Sequence, residues 1–116
     1  MISATGKLKM DAQGLFPAVL QDAQTGQVLM LGFMNQLALQ RTLQTGQVHF
    51  WSRSRNQLWR KGETSGNIHE VVALSVDCDG DALLVQVRPA GPTCHTGQVS
   101  CFHIPLDAAE VLHDAG

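Results

Sequence analysis

Three short stretches concentrate residues that can do chemistry. The first is Asp77-Cys78-Asp79-Gly80-Asp81, with three carboxylates at alternate positions. In an extended segment, alternate side chains point to one side. Like charges held so close repel one another, and a hard cation such as Mg²⁺, which takes oxygen ligands, relieves that repulsion. A solvated acidic turn is the plainer alternative. Cys78 lies between the carboxylates and, in an extended segment, faces the other way. One short stretch then carries an oxygen face and a sulfur face.

The second stretch runs from Gly91 to Phe102 and contains Cys94, His95 and Cys101. With Cys78 these make three thiols, enough for zinc. A catalytic zinc commonly has three protein ligands and keeps one position for water. In favourable sites that water has a pKa of about 7. No CxxC pair is present, so spacing alone leaves buried free thiols as the alternative. His95 adjoins a candidate ligand. It suits a fourth ligand, a proton shuttle or a substrate contact, or else a loop histidine hydrogen-bonded for structure.

The third stretch is Trp51-Ser52-Arg53-Ser54-Arg55, continuing to Trp59-Arg60-Lys61-Gly62-Glu63-Thr64-Ser65-Gly66. Arg53, Arg55, Arg60 and Lys61 supply four of the eight basic residues in the chain. Guanidinium groups suit bidentate phosphate contacts, and the hydroxyls of Thr64 and Ser65 add donors. A solvated basic loop is the competing reading. Trp51 and Trp59 are suited to stacking on a base or to filling a core.

The elements that must position these residues are short. Pro17–Ala23 and Val28–Met34 are apolar runs around Thr25-Gly26, which predicts a hairpin. Asn35 is placed to cap a following helix. That helix carries Leu37, Leu39 and Leu43, and Gly46 stands where it should stop. Val48–Arg53 reads as a strand with Val48, Phe50 and Ser52 on one face and His49, Trp51 and Arg53 on the other. Arg53–Asn67 reads as a functional loop. Val71–Asp77 and Ala82–Val87 are β-rich runs joined by the acidic stretch. Pro89–Gly97 reads as a loop and Val99–Ile104 as a short strand. Asp107 followed by Glu110 resembles a capping box opening a short C-terminal helix. Residues 1–13 read as a loose leader. The expected fold is one β-rich α+β domain spanning residues 1–116.

Composition narrows the class. The chain has 116 residues, is 44% hydrophobic and 16% charged, and carries a net charge of −2. Such a charge gives no reason to expect a nucleic-acid or membrane partner. No apolar run approaches membrane-spanning length. The first residues lack a hydrophobic signal core, so the expected compartment is the cytoplasm. Three cysteines, an odd number, argue against a disulfide framework. A chain this short gains from metals or oligomerisation as supports.

Four segments taken in order, FMNQLAL, WSRSRNQLWRKGETSGN, DCDGDALLVQV and GPTCHTGQVSCF, make the chain resemble the phosphoribosyl-AMP cyclohydrolase family from about Gly14 to Phe102. The resemblance implies zinc bound by Cys78, Cys94 and Cys101, and magnesium bound by Asp77, Asp79 and Asp81. It implies an intertwined homodimer whose zinc ligands come from both subunits. It also implies hydrolytic opening of the N1–C6 bond of an adenine ring in histidine biosynthesis. His95 and Glu63 are then the candidate proton carriers. Trp51, Arg53, Arg55, Arg60, Lys61, Thr64 and Ser65 are the candidate substrate contacts. The chain departs from the family where Asn67 replaces a common His and His69 a common Gln. The pyrophosphohydrolase domain that often follows in bacteria is not present, so that preceding step is expected on another chain. Two other functions compete. A zinc nucleobase deaminase would carry an H-x-E…P-C-x-x-C pattern, which is missing. A non-enzymatic zinc-stabilised binding module would close the metal with four ligands.

Overall fold

A computed structural model describes residues 8–115 of the chain. Its elements run β1 (Phe16–Asp22), β2 (Val28–Met34), α1 (Gln36–Thr45), β3 (His49–Ser52), β4 (Gln57–Arg60), β5 (His69–Val76), β6 (Leu83–Pro89) and α2 (Ala108–Ala115). This is a small strand-rich α+β domain. None of its helices is long and apolar enough to cross a membrane.

Four strands form one sheet in the order β2-β1-β6-β5, and β3 pairs with β4 in a second, two-stranded sheet. β1 is antiparallel to β2 and parallel to β6. The period-2 alternation of β1 and β6 explains their central position. Phe16, Ala18 and Leu20 of β1 and Leu83, Val85 and Val87 of β6 are all buried. Ala18 pairs with Leu83 and Leu20 with Val85, so these apolar side chains share one face. Val48 and Phe50 join them in one buried cluster, with Met34, Ala38 and Leu39. Gly32 in β2 is what lets Phe50 in. A Cβ there would stand 2.6 Å from the Phe50 ring.

The first hairpin forms where its turn residues predict. The Asp22 carboxylate accepts from the N–H groups of Gln24 (2.8 Å) and Thr25 (3.2 Å). α1 is capped as expected: Asn35 Oδ1 accepts from Ala38 N at 2.9 Å, and Gly46 closes the helix with φ 71°. The buried face of α1 differs from the leucine pattern. It consists of Ala38, Leu39 and Thr42, while Leu37 and Leu43 are exposed. Thr42 can be buried because its hydroxyl donates to Ala38 O at 2.8 Å and accepts from His49 N at 2.9 Å.

Two expectations need correction. The stretch Arg53–Asn67 is not one loop: Gln57–Arg60 pairs with His49–Ser52 as β4. The apolar Trp59 drives this pairing, because its ring packs against Phe50 with centroids 5.2 Å apart. Val99–Ile104 is not a strand. It meets the sheet edge at few points. Cys101 N donates to Leu29 O at 2.7 Å, and Ser100 Oγ donates to Val28 O at 2.8 Å. Beyond Cys101 the chain leaves the body as an arm. Phe102, Ile104, Leu106 and Leu112 are 65–80% exposed on it. The Cα radius of gyration, 15.2 Å, exceeds the roughly 13 Å of a compact chain this long. Asp107 caps α2, accepting from Glu110 N at 3.1 Å.

Residues 1–7 of the expected leader lie outside the described residues. Residues 8–13 are tied down. Lys9 N donates to Gly80 O, and Asp11 Oδ1 accepts from Gln13 and Leu15.

Candidate active site

The β3–β4 hairpin is the first wall of a cavity of about 600 Å³, a size typical of small-molecule sites. Phe50 pairs with Trp59 across the hairpin, and Trp59 lines the cavity with Arg55, Arg60 and Lys61. The second wall is the loop Gly62–Asn67, which brings Glu63, Thr64 and Ser65. Pro92, Thr93, Cys94, His95 and Gly97 form the third. Residues from all three walls thus meet, although the chain separates Arg55 from His95 widely.

Local turns hold these side chains. Glu63 Oε1 accepts from Arg60 N at 3.0 Å, and Glu63 N donates to Arg60 O at 3.1 Å, so the turn after β4 is closed from both sides. Arg60 donates from Nη1 to Gln47 Oε1 at 3.4 Å, while its Nε is buried without a partner among the described residues. Lys61 Nζ lies 5.9 Å from the centre of the Trp59 ring. Basic groups and hydroxyls around a half-open cavity are suited to anionic oxygens.

Two of the expected contacts lie elsewhere. Arg53 does not line the cavity; its guanidinium stacks over the Phe33 ring at 3.9 Å. The strand alternation that turns Phe50 inward sends Trp51 and Arg53 to the opposite face, and Trp51 pairs with Leu58. Trp51 is likewise absent from the cavity walls.

Cys94 sits at the cavity with 9% of its surface exposed. Thr96 donates its hydroxyl to Cys94 Sγ at 3.0 Å, and the Thr96 backbone N–H adds a second bond. Together they outweigh burial and hold the Cys94 thiol down at about 6. His103 Nε2 lies 3.8 Å from the same sulfur. Cys101 neighbours Cys94, and burial and the charge on Cys94 push the Cys101 thiol up. Two adjacent thiols that resist ionising together are relieved by a soft divalent cation, so this pair fits a zinc donor set.

Asp77, Asp79 and Asp81 do converge, with one carboxylate oxygen from each inside a mutual 4.8 Å. The geometry is that of a tight turn, however, and not of an extended strand. Asp77 Oδ1 accepts from the N–H groups of Asp81 (3.0 Å) and Ala82 (3.2 Å), and Gly80 takes φ 73°. Desolvation works to raise the Asp77 carboxyl, but these hydrogen bonds win and hold it below the usual range. Its hydrogen bond with Asp77, and repulsion from Asp77 and Asp79, push Asp81 up. Three exposed carboxylates gathered this closely form a hard-oxygen donor set that fits magnesium. Cys78, in the same turn, is exposed. Among the described residues, the aspartates are the group of three metal-capable side chains that one chain gathers; the three cysteines are not so gathered.

Sequence reasoning noted Asn67 and His69 only as departures from the family pattern and did not find the partners that join them across the second and third walls. His69, fully buried, joins Asn67 O through Nδ1 at 2.9 Å and Thr93 Oγ1 through Nε2 at 2.8 Å. Asn67 Nδ2 donates to Pro92 O at 3.1 Å. The available signal was a histidine at an inward position of β5, two residues before the half-buried Val71.

Comparison with known proteins identifies the family. A family model described as Phosphoribosyl-AMP cyclohydrolase matches residues 30–103, a span that includes every wall of the cavity. A phosphoribosyl-AMP cyclohydrolase of Bifidobacterium longum is 59% identical over 96 residues, which cover 83% of this chain and 73% of that protein. One from Ruegeria pomeroyi is 54% identical over 103 residues, covering 89% and 87%. A histidine biosynthesis bifunctional protein HisIE of Photobacterium profundum is 61% identical over 89 residues; these span 77% of this chain but 43% of that longer protein. The match runs through the hairpin, the acidic turn and the cysteine-bearing loop alike, and the chain belongs to the phosphoribosyl-AMP cyclohydrolase family.

Proposed function

We propose that the chain hydrolyses the N1–C6 bond of the adenine ring of phosphoribosyl-AMP, giving the formimino imidazole carboxamide ribotide intermediate of histidine biosynthesis. The observation that carries this reading is the cavity, which is lined by Arg55, Arg60 and Lys61 together with Cys94 and His95 in a member of this family. The substrate bears a phosphoribosyl group on N1. That substitution makes the ring amidinium-like and C6 electrophilic. Water adds at C6, the N1–C6 bond breaks and N1 takes a proton. Arg55, Arg60, Lys61, Thr64 and Ser65 hold phosphate oxygens and fix the ring between the walls. His95 moves the proton. Glu63 is the weaker candidate, because its carboxylate already closes the turn at Arg60. His95 makes no side-chain hydrogen bond among the described residues and lines the cavity.

Zinc would be held by Cys78, Cys94 and Cys101 and would lower the pKa of the attacking water. Magnesium would be held by Asp77, Asp79 and Asp81 and would orient substrate or water. Because one chain does not gather the three cysteines, the complete site takes Cys78 from one subunit and Cys94 with Cys101 from the other. The apolar arm after Cys101 supplies the surface for that homodimer, an intertwined one. Free thiols suit the cytoplasm, where they stay reduced.

The test is turnover of phosphoribosyl-AMP by the purified chain. The expected product gains one water with no ammonia released. Ammonia release would instead identify a nucleobase deaminase. No turnover, with zinc closed by four protein ligands, would identify a binding module.

A further inference from the structure

The geometry points to His69 as a positioning residue that bolts the loop bearing Cys94 and His95 to the loop bearing Thr64 and Ser65. This rests on the reading of Cys94 as a zinc ligand. His69 opens β5 and is fully buried. Its Nδ1 meets the carbonyl oxygen of Asn67. A carbonyl only accepts, so Nδ1 carries the ring proton. Burial favours the neutral ring, and a neutral ring then has a bare lone pair on Nε2. Thr93 must donate its hydroxyl to that lone pair. The donor order is therefore fixed along the line Thr93 to His69 to Asn67.

The line crosses between two cavity walls. Thr93 precedes Cys94, and the two residues carry the backbone bonds to Val99 and Gln98 that shape the 94–97 turn. Asn67 ends the Gly62–Asn67 loop. Its own side chain reaches Pro92, and Ala90 N donates to Ile68 O at 2.9 Å. Two glycines are pressed against Asn67. A Cβ on Gly62 would stand 2.4 Å from Asn67 O, and one on Gly91 would stand 2.5 Å from Asn67 Oδ1. The two walls are thus tied at Asn67–Pro92, Ile68–Ala90 and His69–Thr93, the last directly before the thiol. Metal-ligand orientation set by such outer hydrogen bonds governs affinity as well as rate.

Four variants separate this role from general stability. His69→Gln can place an acceptor oxygen where Nε2 stands but loses the link to Asn67. His69→Asn reaches only the Nδ1 position and loses Thr93. Thr93→Ser keeps the hydroxyl, and Thr93→Val keeps the shape without it. Zinc affinity is read by competition with a chromophoric chelator, amide exchange of residues 93–98 in metal-free protein, and melting temperature alongside. His69→Asn and Thr93→Val should weaken zinc about tenfold, and His69→Gln and Thr93→Ser less than about threefold. Amides of Cys94 and Gly97 should exchange faster in the first pair only. The double variant His69→Asn/Thr93→Val should bind zinc no more weakly than either single one, since both break one bond. Losses that follow melting temperature across all four variants, or that multiply in the double variant, would overturn the proposal. If the unaltered chain binds no zinc, the zinc reading of Cys94 fails on its own, and the exchange pattern still decides whether His69 positions the loop.

Discussion

Arg55 lines the cavity, whereas Arg53, two positions earlier, lays its guanidinium over Phe33. Arg55→Ala should raise KM for phosphoribosyl-AMP, and less so for an analogue lacking one phosphate. Arg53→Ala should leave KM alone and lower stability by about 0.5–1 kcal/mol, the worth of an exposed cation–π contact. Urea melts and steady-state kinetics on both variants check the division; equal KM changes would refute it. His69 gives a pH prediction. Burial pulls its pKa below the ordinary 6.5; Lys61 adds to this and the Asn67 hydrogen bond opposes it. The unfolded chain therefore takes up the proton first as pH falls. The contribution of His69 is fully present above about 6.5 and is lost as pH falls from there toward the lowered folded value. Melting temperatures between about pH 5 and pH 7.5 should fall toward acid, and His69→Gln should flatten that slope. The convergence of the three aspartates was legible because they stand at alternate positions of one short stretch. His69 was not. Its role depends on Thr93, 24 residues away, and a single histidine announces no such partner.

Elements with local signals were legible, and elements defined by a distant partner were less so. The Asp22 turn, the Asn35 cap and the Gly46 stop are all fixed by neighbours within a few residues. β4 was hidden because its four residues sit in a polar stretch, with Leu58 and Trp59 alone packing against the core. Val99–Ile104 has strand-like residues, but among the described residues its hydrogen bonds to β2 come from Cys101 and Ser100 alone. Strand propensity expresses what neighbours a side chain finds, and here few are supplied within one chain. The glycines separate two kinds of constraint. Gly46 has φ 71° with open space around it, whereas Gly62 has φ 88° with Asn67 O at 2.4 Å from an added Cβ. Gly46→Ala should cost about 1–2 kcal/mol, the left-handed penalty alone, and leave activity intact. Gly62→Ala adds overpacking of about 1–3 kcal/mol and displaces Asn67, so kcat should fall with stability. Denaturant midpoints with kcat for the two variants are the measurement.

At the scale of the molecule, the arm and the divided cysteines make one prediction together. Cys78→Ala and Cys94→Ala chains should each be inactive. Mixed, they should form a heterodimer with one complete site and one lacking donors from both chains. About half of wild-type activity per heterodimer should return if the sites act independently. Heterodimers that form, stay folded and remain inactive would place zinc within one chain. The proposed dimer rests on resemblance and on the shortness of the chain, whereas the apolar surface proposed for it could not be read from the sequence. The apolar side chains of Phe102, Ile104 and Leu106 look like any other apolar run until the fold leaves them 65–80% exposed. The parallel β1–β6 pairing has a different consequence, one of timing. Gln21 and Gln86, hydrogen-bonded at 3.2 Å, are 65 residues apart, whereas β1–β2, β3–β4 and β5–β6 are neighbours in the chain. As the chain emerges from a ribosome, those hairpins can close one after another. The central sheet must wait until Pro89 has cleared the exit. Contacts this distant in sequence slow folding, so β1 spends most of synthesis with one edge open and its apolar face uncovered, the interval in which a nascent chain is most prone to pair with another of its kind.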